Sequence, residues 1–257
     1  MNEDFESVVF EREEGVAKII LNRPPLNIMN IAMMKEINAI LESLQGDAES
    51  KVLIITGRGK AFSAGVDVAE HTADKVEEMI SEFNRIFHLL GKLPIPSLAV
   101  VNGMALGGGC ELAIACDMVI ASEDAKIGQP EIKVGVFPPV AAVLLPRLVG
   151  KPRAMELLLT GEHIRAKEAA EIGLINKAVP PDELEDATED FIKKLNSLSG
   201  IVIRLTKKAI CQGLDLRFED ALSNAEDIYL NELMKTYDAN EGLSAFLEKR
   251  KPVWKNR

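Results

Sequence analysis

The sequence predicts an α/β core followed by an α-helical C-terminal region. Two observations carry this. Up to about residue 125, short β-branched or continuously apolar runs alternate with stretches of helical period, in the order strand–strand–helix. Beyond residue 140 the helical period takes over, and 201–250 holds almost nothing else. The 257 residues suffice for one large core with an appended subdomain, placed at 1–197 and 198–257.

Each element follows from its pattern. SVVFER (7–12) and VAKIILN (16–22) read as strands joined at Glu14-Gly15, and NRPPLN stops the second because proline cannot continue a ladder. Asn30–Leu44 carries Met33, Met34, Ile37, Ile40, Leu41 and Leu44 at helical spacing. KVLIITG (51–57) is a strand, followed by the glycine-punctuated loop GRGKAFSAG (57–65). Lys75–Leu90 is a second amphipathic helix, and SLAVVNG (97–103) is a core strand after Pro94 and Pro96. A helix over 108–116 and a strand over 118–122 come next, and 126–139 reads as extended and loop-like. Helical patterns then cover 140–149, 152–159, 166–172 and 181–197.

The bulk numbers exclude several classes. A net charge of -10 argues against a general nucleic-acid binder, which needs a basic face to replace phosphate counterions. No apolar run reaches the roughly 18 residues of a membrane span. MNEDFESVVFEREEG is acidic and lacks a signal-peptide apolar region, so a cytoplasmic location is expected. Cys110, Cys116 and Cys211 form no disulfide framework, and His71, His88 and His163 show no ligand spacing with them, so no metal site is expected.

Three segments carry chemistry. In LGGGCELAIACD (106–117), glycines enter a helix whose first N–H groups lack internal partners, which suits an anion or an oxygen that becomes one; close helix–strand packing is the structural alternative. The run fits neither the phosphate-loop nor the dinucleotide glycine pattern. Glu111 in this helix and Glu131 in GQPEIKVG are carboxyls that can divide acid and base roles if they face one pocket; otherwise each is a capping or solvated residue. In GRGKAFSAGVD, small residues leave the Val66 N–H accessible, Lys60 suits a phosphate or plain solvation, and Asp67 suits a helix N-cap.

Together these segments resemble the crotonase (enoyl-CoA hydratase/isomerase) superfamily over essentially the whole chain. LNRPPLNIMN resembles its N-terminal CoA-contacting loop, KAFSAGVD its first oxyanion-hole segment, NGMALGGGCELAIACD and GQPEIKVG its two catalytic segments, and EGLSAFLEKRKPVW its C-terminal helix end. The resemblance implies a spiral of ββα units with a helical C-terminal trimerisation region, giving a homotrimer or a dimer of trimers. It implies N–H donors at Val66 and Gly108 for a thioester oxygen, and catalytic carboxyls at Glu111 and Glu131. Ala64, Gly65 and Asp67 fall among the substrate contacts. Lys60, together with Phe246 and Lys249 from a neighbouring subunit, matches positions that contact the CoA nucleotide. CoA enters with the acyl thioester substrate, so no separate cofactor, nucleic acid or membrane partner is implied.

One segment departs from the family. Where many hydratases carry a glycine-rich run after the second glutamate, this chain has VFPPVAAVLLPRLVG (136–150), whose Phe137, Pro138 and Pro139 make a stiffer apolar wall. That pattern is similar to the cyclohexa-1,5-diene-1-carbonyl-CoA hydratases of anaerobic benzoyl-CoA breakdown. It implies water addition to a cyclic dienoyl thioester, giving 6-hydroxycyclohex-1-ene-1-carbonyl-CoA. A general short-chain enoyl-CoA hydratase or 3-hydroxyacyl-CoA dehydratase is the alternative. An RNA-binding or scaffold member of the fold is a third reading, disfavoured by the acidic charge and the two glutamates.

Overall fold

The structure is a computed structural model that describes residues 5–257. It opens on a hairpin, β1 (Val8–Glu13) and β2 (Val16–Leu21), whose two turn residues Glu14 and Gly15 both take positive φ, 45° and 82°. That geometry matches the twist of the flanking strands. There follow α1 (Ile31–Ser43), β3 (Val52–Gly57), β4 (Ala61–Ser63), α2 (Val76–Lys92), β5 (Ser97–Val101), β6 (Met104–Leu106), α3 (Gly108–Ala115), β7 (Met118–Ser122) and β8 (Lys126–Gly128). Beyond a 3-10 turn at Pro130–Val134 come α4 (Pro139–Thr160), β9 (His163–Arg165), α5 (Ala166–Glu171), β10 (Lys177–Val179) and α6 (Leu184–Asn196).

From β3 to β8, successive strands alternate between two sheets. One sheet runs β1-β2-β3-β5-β7-β10, parallel except for the β1–β2 hairpin; the other runs β4-β6-β8-β9. Over that span each turn of the chain lays one strand in each sheet and then a helix, the ββα spiral expected. The larger sheet is buried on both faces, which is why β3 and β5 read as continuous apolar runs rather than alternating ones. Side chains two apart share a face. Leu53, Ile55, Ala99 and Val101 point into the main core with α1, α2 and α3, while Val52, Ile54, Leu98 and Val100 meet Phe191, Ile192 and Leu195 of α6.

The smaller sheet departs from the sequence reading. Its strands are three residues each, too short to show a period, and they pair with partners far along the chain. The stretch 126–139 is correspondingly more ordered than the loop expected: it supplies β8, the 3-10 turn and the start of α4. The two helical patterns at 140–149 and 152–159 are two helical stretches of α4, separated by a kink at Gly150, whose φ 76° and ψ 158° are not helical.

The C-terminal region is helical: α7 (Gly200–Gly213), α8 (Phe218–Asp227), two short turns through Lys235, and α9 (Tyr237–Leu247). Lys251–Arg257 has no regular structure yet is tied down. Buried Asp238 accepts from Lys255 N (2.7 Å), Asn256 N (2.9 Å) and Ser199 Oγ (2.5 Å). The Trp254 indole donates to Ser197 O at 2.9 Å. No helix among the described residues is long and apolar enough to cross a membrane.

The α6 layer makes a direct prediction. Ile54 is fully packed beneath that helix, so Ile54→Ala should cost about 2–5 kcal/mol, read as a lower urea midpoint with an unchanged slope. A loss below about 1 kcal/mol would mean that α6 does not seal this face of the sheet.

Candidate active site

The start of α3 docks on the edge of the smaller sheet because three consecutive residues carry no side chain. A Cβ at Gly109 would lie 2.3 Å from Ser63 O, and one at Gly108 would lie 2.6 Å from Val66 Cγ2 and 3.0 Å from Phe83 Cζ. Gly107, with φ 54°, has the Glu131 carboxylate where its own side chain would stand: Oε1 is 2.8 Å from a built Cβ. The positive φ is what favours glycine there, since the Glu131 side chain could move aside.

Val66 reaches this point from the other side. It forms a one-residue parallel bridge with Met29: Met29 N donates to Gly65 O (2.8 Å), and Asp67 N donates to Met29 O (2.9 Å). Gly65, at φ 109°, lies against the Gly107–Gly108 backbone. Among the described residues neither the Val66 nor the Gly108 N–H has a protein acceptor. Two free donors therefore stand side by side, one at the first turn of a helix, where the dipole is positive.

Glu111 follows one turn into α3 and is 2% exposed. Its Oε1 accepts the Ala141 N–H at 2.8 Å, so the carboxyl sits at the N-terminus of α4. Burial pushes its pKa up to about 7; the Glu131 charge adds to the rise, while the Ala141 and Val140 N–H groups pull it back. Glu131 is half-buried at the 3-10 turn, and burial raises its pKa too. The two carboxyls thus lie close enough for the Glu131 charge to act on Glu111, a proximity that their spacing in the sequence does not show.

The remaining expected residues divide. Ala64 N–H is engaged by Leu26 O (2.9 Å). Lys60 is exposed, and among the described residues no side chain pairs with it. Asp67 does cap a helix, the 3-10 turn Val68–Glu70, through Ala69 N (3.1 Å), but its other oxygen pairs with Arg23 at 3.3 Å. Phe137 is 69% exposed, just ahead of α4. Phe246 and Lys249 lie at the end of α9, both exposed, with Lys249 at φ 56°.

Several residues that shape the site drew no notice in the sequence. Buried Asn27 donates through Nδ2 to the carbonyls of Arg58 (3.1 Å), Ala61 (2.8 Å) and Phe62 (3.1 Å) and so holds β4 in place. Gln129, 1% exposed, sets the end of its amide against Glu131 Oε1 (3.1 Å), Glu131 Oε2 (3.2 Å) and Gly107 O (3.3 Å); because all three are acceptors, the amide is assigned with its nitrogen on that side. The one available signal was an amide between apolar neighbours in LNI (26–28) and one beside a candidate catalytic acid in GQPE (128–131).

The family described as Enoyl-CoA hydratase/isomerase matches residues 11–257. The chain belongs to this family. It is 37% identical to a short-chain-enoyl-CoA hydratase of Clostridium acetobutylicum, over 99% of this chain and 100% of that protein. It is 39% identical to a crotonyl-CoA hydratase of Syntrophomonas wolfei, over 96% and 97% of the two chains. Crystal structures of enoyl-CoA hydratases from Bacillus anthracis (TM-score 0.93, 36% identity, 98% of this chain and 100% of that one) and Geobacillus kaustophilus (TM-score 0.96, 32% identity, 100% and 99%) superpose along the full length. The crotonase fold of this family places α3, the 3-10 turn and the Val66 segment around one point.

The Glu111 environment has a consequence for stability. An acid whose pKa rises on folding is neutral in both states below its unfolded value of 4.5 and costs nothing there. Native stability then falls as pH climbs from 4.5 through about 7, by about 3 kcal/mol in all. Glu111→Gln keeps an acceptor for Ala141 N–H but cannot ionise. Urea unfolding should therefore find it more stable than the parent at pH 8, with the gap closing toward pH 5. A gap independent of pH would place the Glu111 pKa at its ordinary value.

Proposed function

We propose that this chain is a crotonase-type hydratase that adds water to the conjugated double bond of an acyl-CoA thioester. The observation that carries the reading is the juxtaposition of two free N–H donors, at Val66 and Gly108, with two carboxyls whose pKa values burial has raised. The donors receive the thioester oxygen as it becomes an enolate, an arrangement whose single donors are worth about 3–4 kcal/mol when removed. Glu111, with a pKa of about 7, is poised to take a proton from water near neutrality. Glu131, held by Gln129, shares that task or returns the proton to carbon. Such a division follows from two carboxyls in unequal surroundings.

For the acyl group we propose cyclohexa-1,5-diene-1-carbonyl-CoA. Support comes from Phe137, Pro138 and Pro139, an apolar and stiff approach to the site just before the helix that binds Glu111. Water oxygen bonds to the β-carbon of the ring, the electron pair moves through an extended dienolate, and the proton returns at the γ-carbon, leaving 6-hydroxycyclohex-1-ene-1-carbonyl-CoA. A second reading, hydration of short linear enoyl-CoA, is favoured by the names of the Clostridium acetobutylicum and Syntrophomonas wolfei relatives. Lys60, the Ala64–Gly65 segment, and Phe246 and Lys249 of a neighbouring copy are proposed to contact the CoA portion. A trimer or dimer of trimers is proposed on the same basis; Leu214, Phe218, Phe246 and Leu247 expose most of their apolar surface on the C-terminal helices and the turns beside them.

Glu111→Gln and Glu131→Gln should each lower kcat by about 100-fold or more; near-normal turnover in either removes that residue from the mechanism. Comparing kcat/KM for crotonyl-CoA and the cyclic dienoyl-CoA decides the acyl group. In heavy water the ring product should carry deuterium at the γ-carbon, and label at the α-carbon contradicts the extended-dienolate route.

A further inference from the structure

The Val66 N–H is useful only if it is held still, yet Val66 lies in neither a helix nor a ladder. Its segment is fastened almost wholly to the loop that follows β2. Ala64 N–H bonds Leu26 O, and the Met29–Val66 bridge contributes two more bonds. The loop is therefore the template for the donor, and what orders the loop orders the donor. Asn27 orders its near side, where Arg23 N–H meets Asn27 Oδ1 at 3.0 Å and Asn27 Nδ2 reaches Ala61 and Phe62. The far side falls to one guanidinium. Arg23 Nη1 donates to Ile28 O at 2.7 Å, and Arg23 Nη2 donates to Asp67 Oδ2 at 3.3 Å. Ile28 precedes Met29, and Asp67 follows Val66, so Arg23 spans the two ends of the bridge.

We propose that Arg23 is a positioning residue of the oxyanion site: its clamp on Ile28 and Asp67 fixes the Val66 N–H, and Asp67 serves this clamp rather than the CoA portion of the substrate. Both Asp67 oxygens are in use, one on Arg23 and one on Ala69 N–H. The 3-10 turn that Asp67 caps is itself returned to the loop, since Glu70 Oε2 accepts Ile31 N–H at 2.6 Å at the start of α1. The Val66 donor thus lies inside a ring of contacts that Arg23 and Glu70 close at opposite ends. The ion pair is 37% and 27% exposed, and a pair so open to water contributes only about 0–1 kcal/mol to stability. Its effect belongs in the placement of the donor, where a shift of about 1 Å can cost about 100-fold in rate.

The proposal rests on the hydratase reading, and two readouts separate their failures. Turnover of crotonyl-CoA or of the cyclic dienoyl-CoA by the parent enzyme tests the reading alone. The clamp is judged on variant-to-parent ratios and on the absorbance of a bound aryl-acryloyl-CoA, whose red shift reports polarisation by the donors and needs no turnover. Arg23→Ala should lower kcat about 10- to 100-fold with KM changed less than about threefold. It should also reduce the red shift, while Tm falls by no more than about 4 °C. Arg23→Lys, which keeps the charge but cannot span both contacts, should recover part of kcat and of the shift. Arg23→Ala combined with Asp67→Asn should be no slower than the slower single variant, because both break one clamp. Unchanged kcat and red shift in Arg23→Ala overturn the proposal, as does a raised KM with kcat intact, which would make Arg23 a substrate contact. Independent, multiplying losses in the double variant overturn it as well.

Discussion

The whole site depends on one close approach of backbone to backbone. Gly107, Gly108 and Gly109 let the start of α3 lie against Ser63, Gly65 and Val66 with no side chain between them. Any Cβ at Gly109 would collide with a carbonyl that has nowhere to go. Because of this contact, two unpaired N–H groups from distant parts of the chain become neighbours. The elements around it then read as supports: α2 lays Phe83 over Gly108, and the 3-10 turn lays Glu131 over Gly107.

The electrostatics of Glu111 are a contest between burial and a helix end. Removing a carboxylate from water favours the neutral form, while the N–H groups at the start of α4 favour the anion. Burial prevails, but only in part, which leaves the group near the midpoint of its titration at neutral pH. Pro139 occupies the first position of α4 without an N–H, and the N–H groups that follow it, of Val140 and Ala141, favour the Glu111 anion. The proline-bearing segment at 136–150 thus also forms part of the environment of the buried acid.

The larger sheet was legible because strands such as Val52–Gly57 and Ser97–Val101 are buried on both faces and must be apolar throughout. The smaller sheet was not, since Ala61–Ser63 and Lys126–Gly128 are defined by their partners rather than by any pattern of their own. The same division holds at the site. Glu111 and Glu131 stood out as acids in apolar or glycine-rich company, and the resemblance paired them. The amides of Asn27 and Gln129 did not, because a buried amide is marked only by the acceptors the fold brings to it. Asp67 shows the limit of motif reasoning in another way: its capping role was readable locally, but its pairing with Arg23 spans residues that only the Met29–Val66 bridge makes neighbours.

The tethered C-terminal segment gives the protein an optical asymmetry. Trp254 is the chain's one tryptophan. Its ring lies against Gly242 of α9, where a Cβ would come within 3.1 Å of it, and its indole N–H is spent on Ser197 at the junction of α6 and α7. Intrinsic emission from this molecule is therefore a local witness to the tail, while the α/β spiral is nearly silent at the same wavelength. A fluorescence melt and a far-ultraviolet dichroism melt interrogate different parts of one chain, and any temperature gap between them measures how far the end can come away before the centre gives.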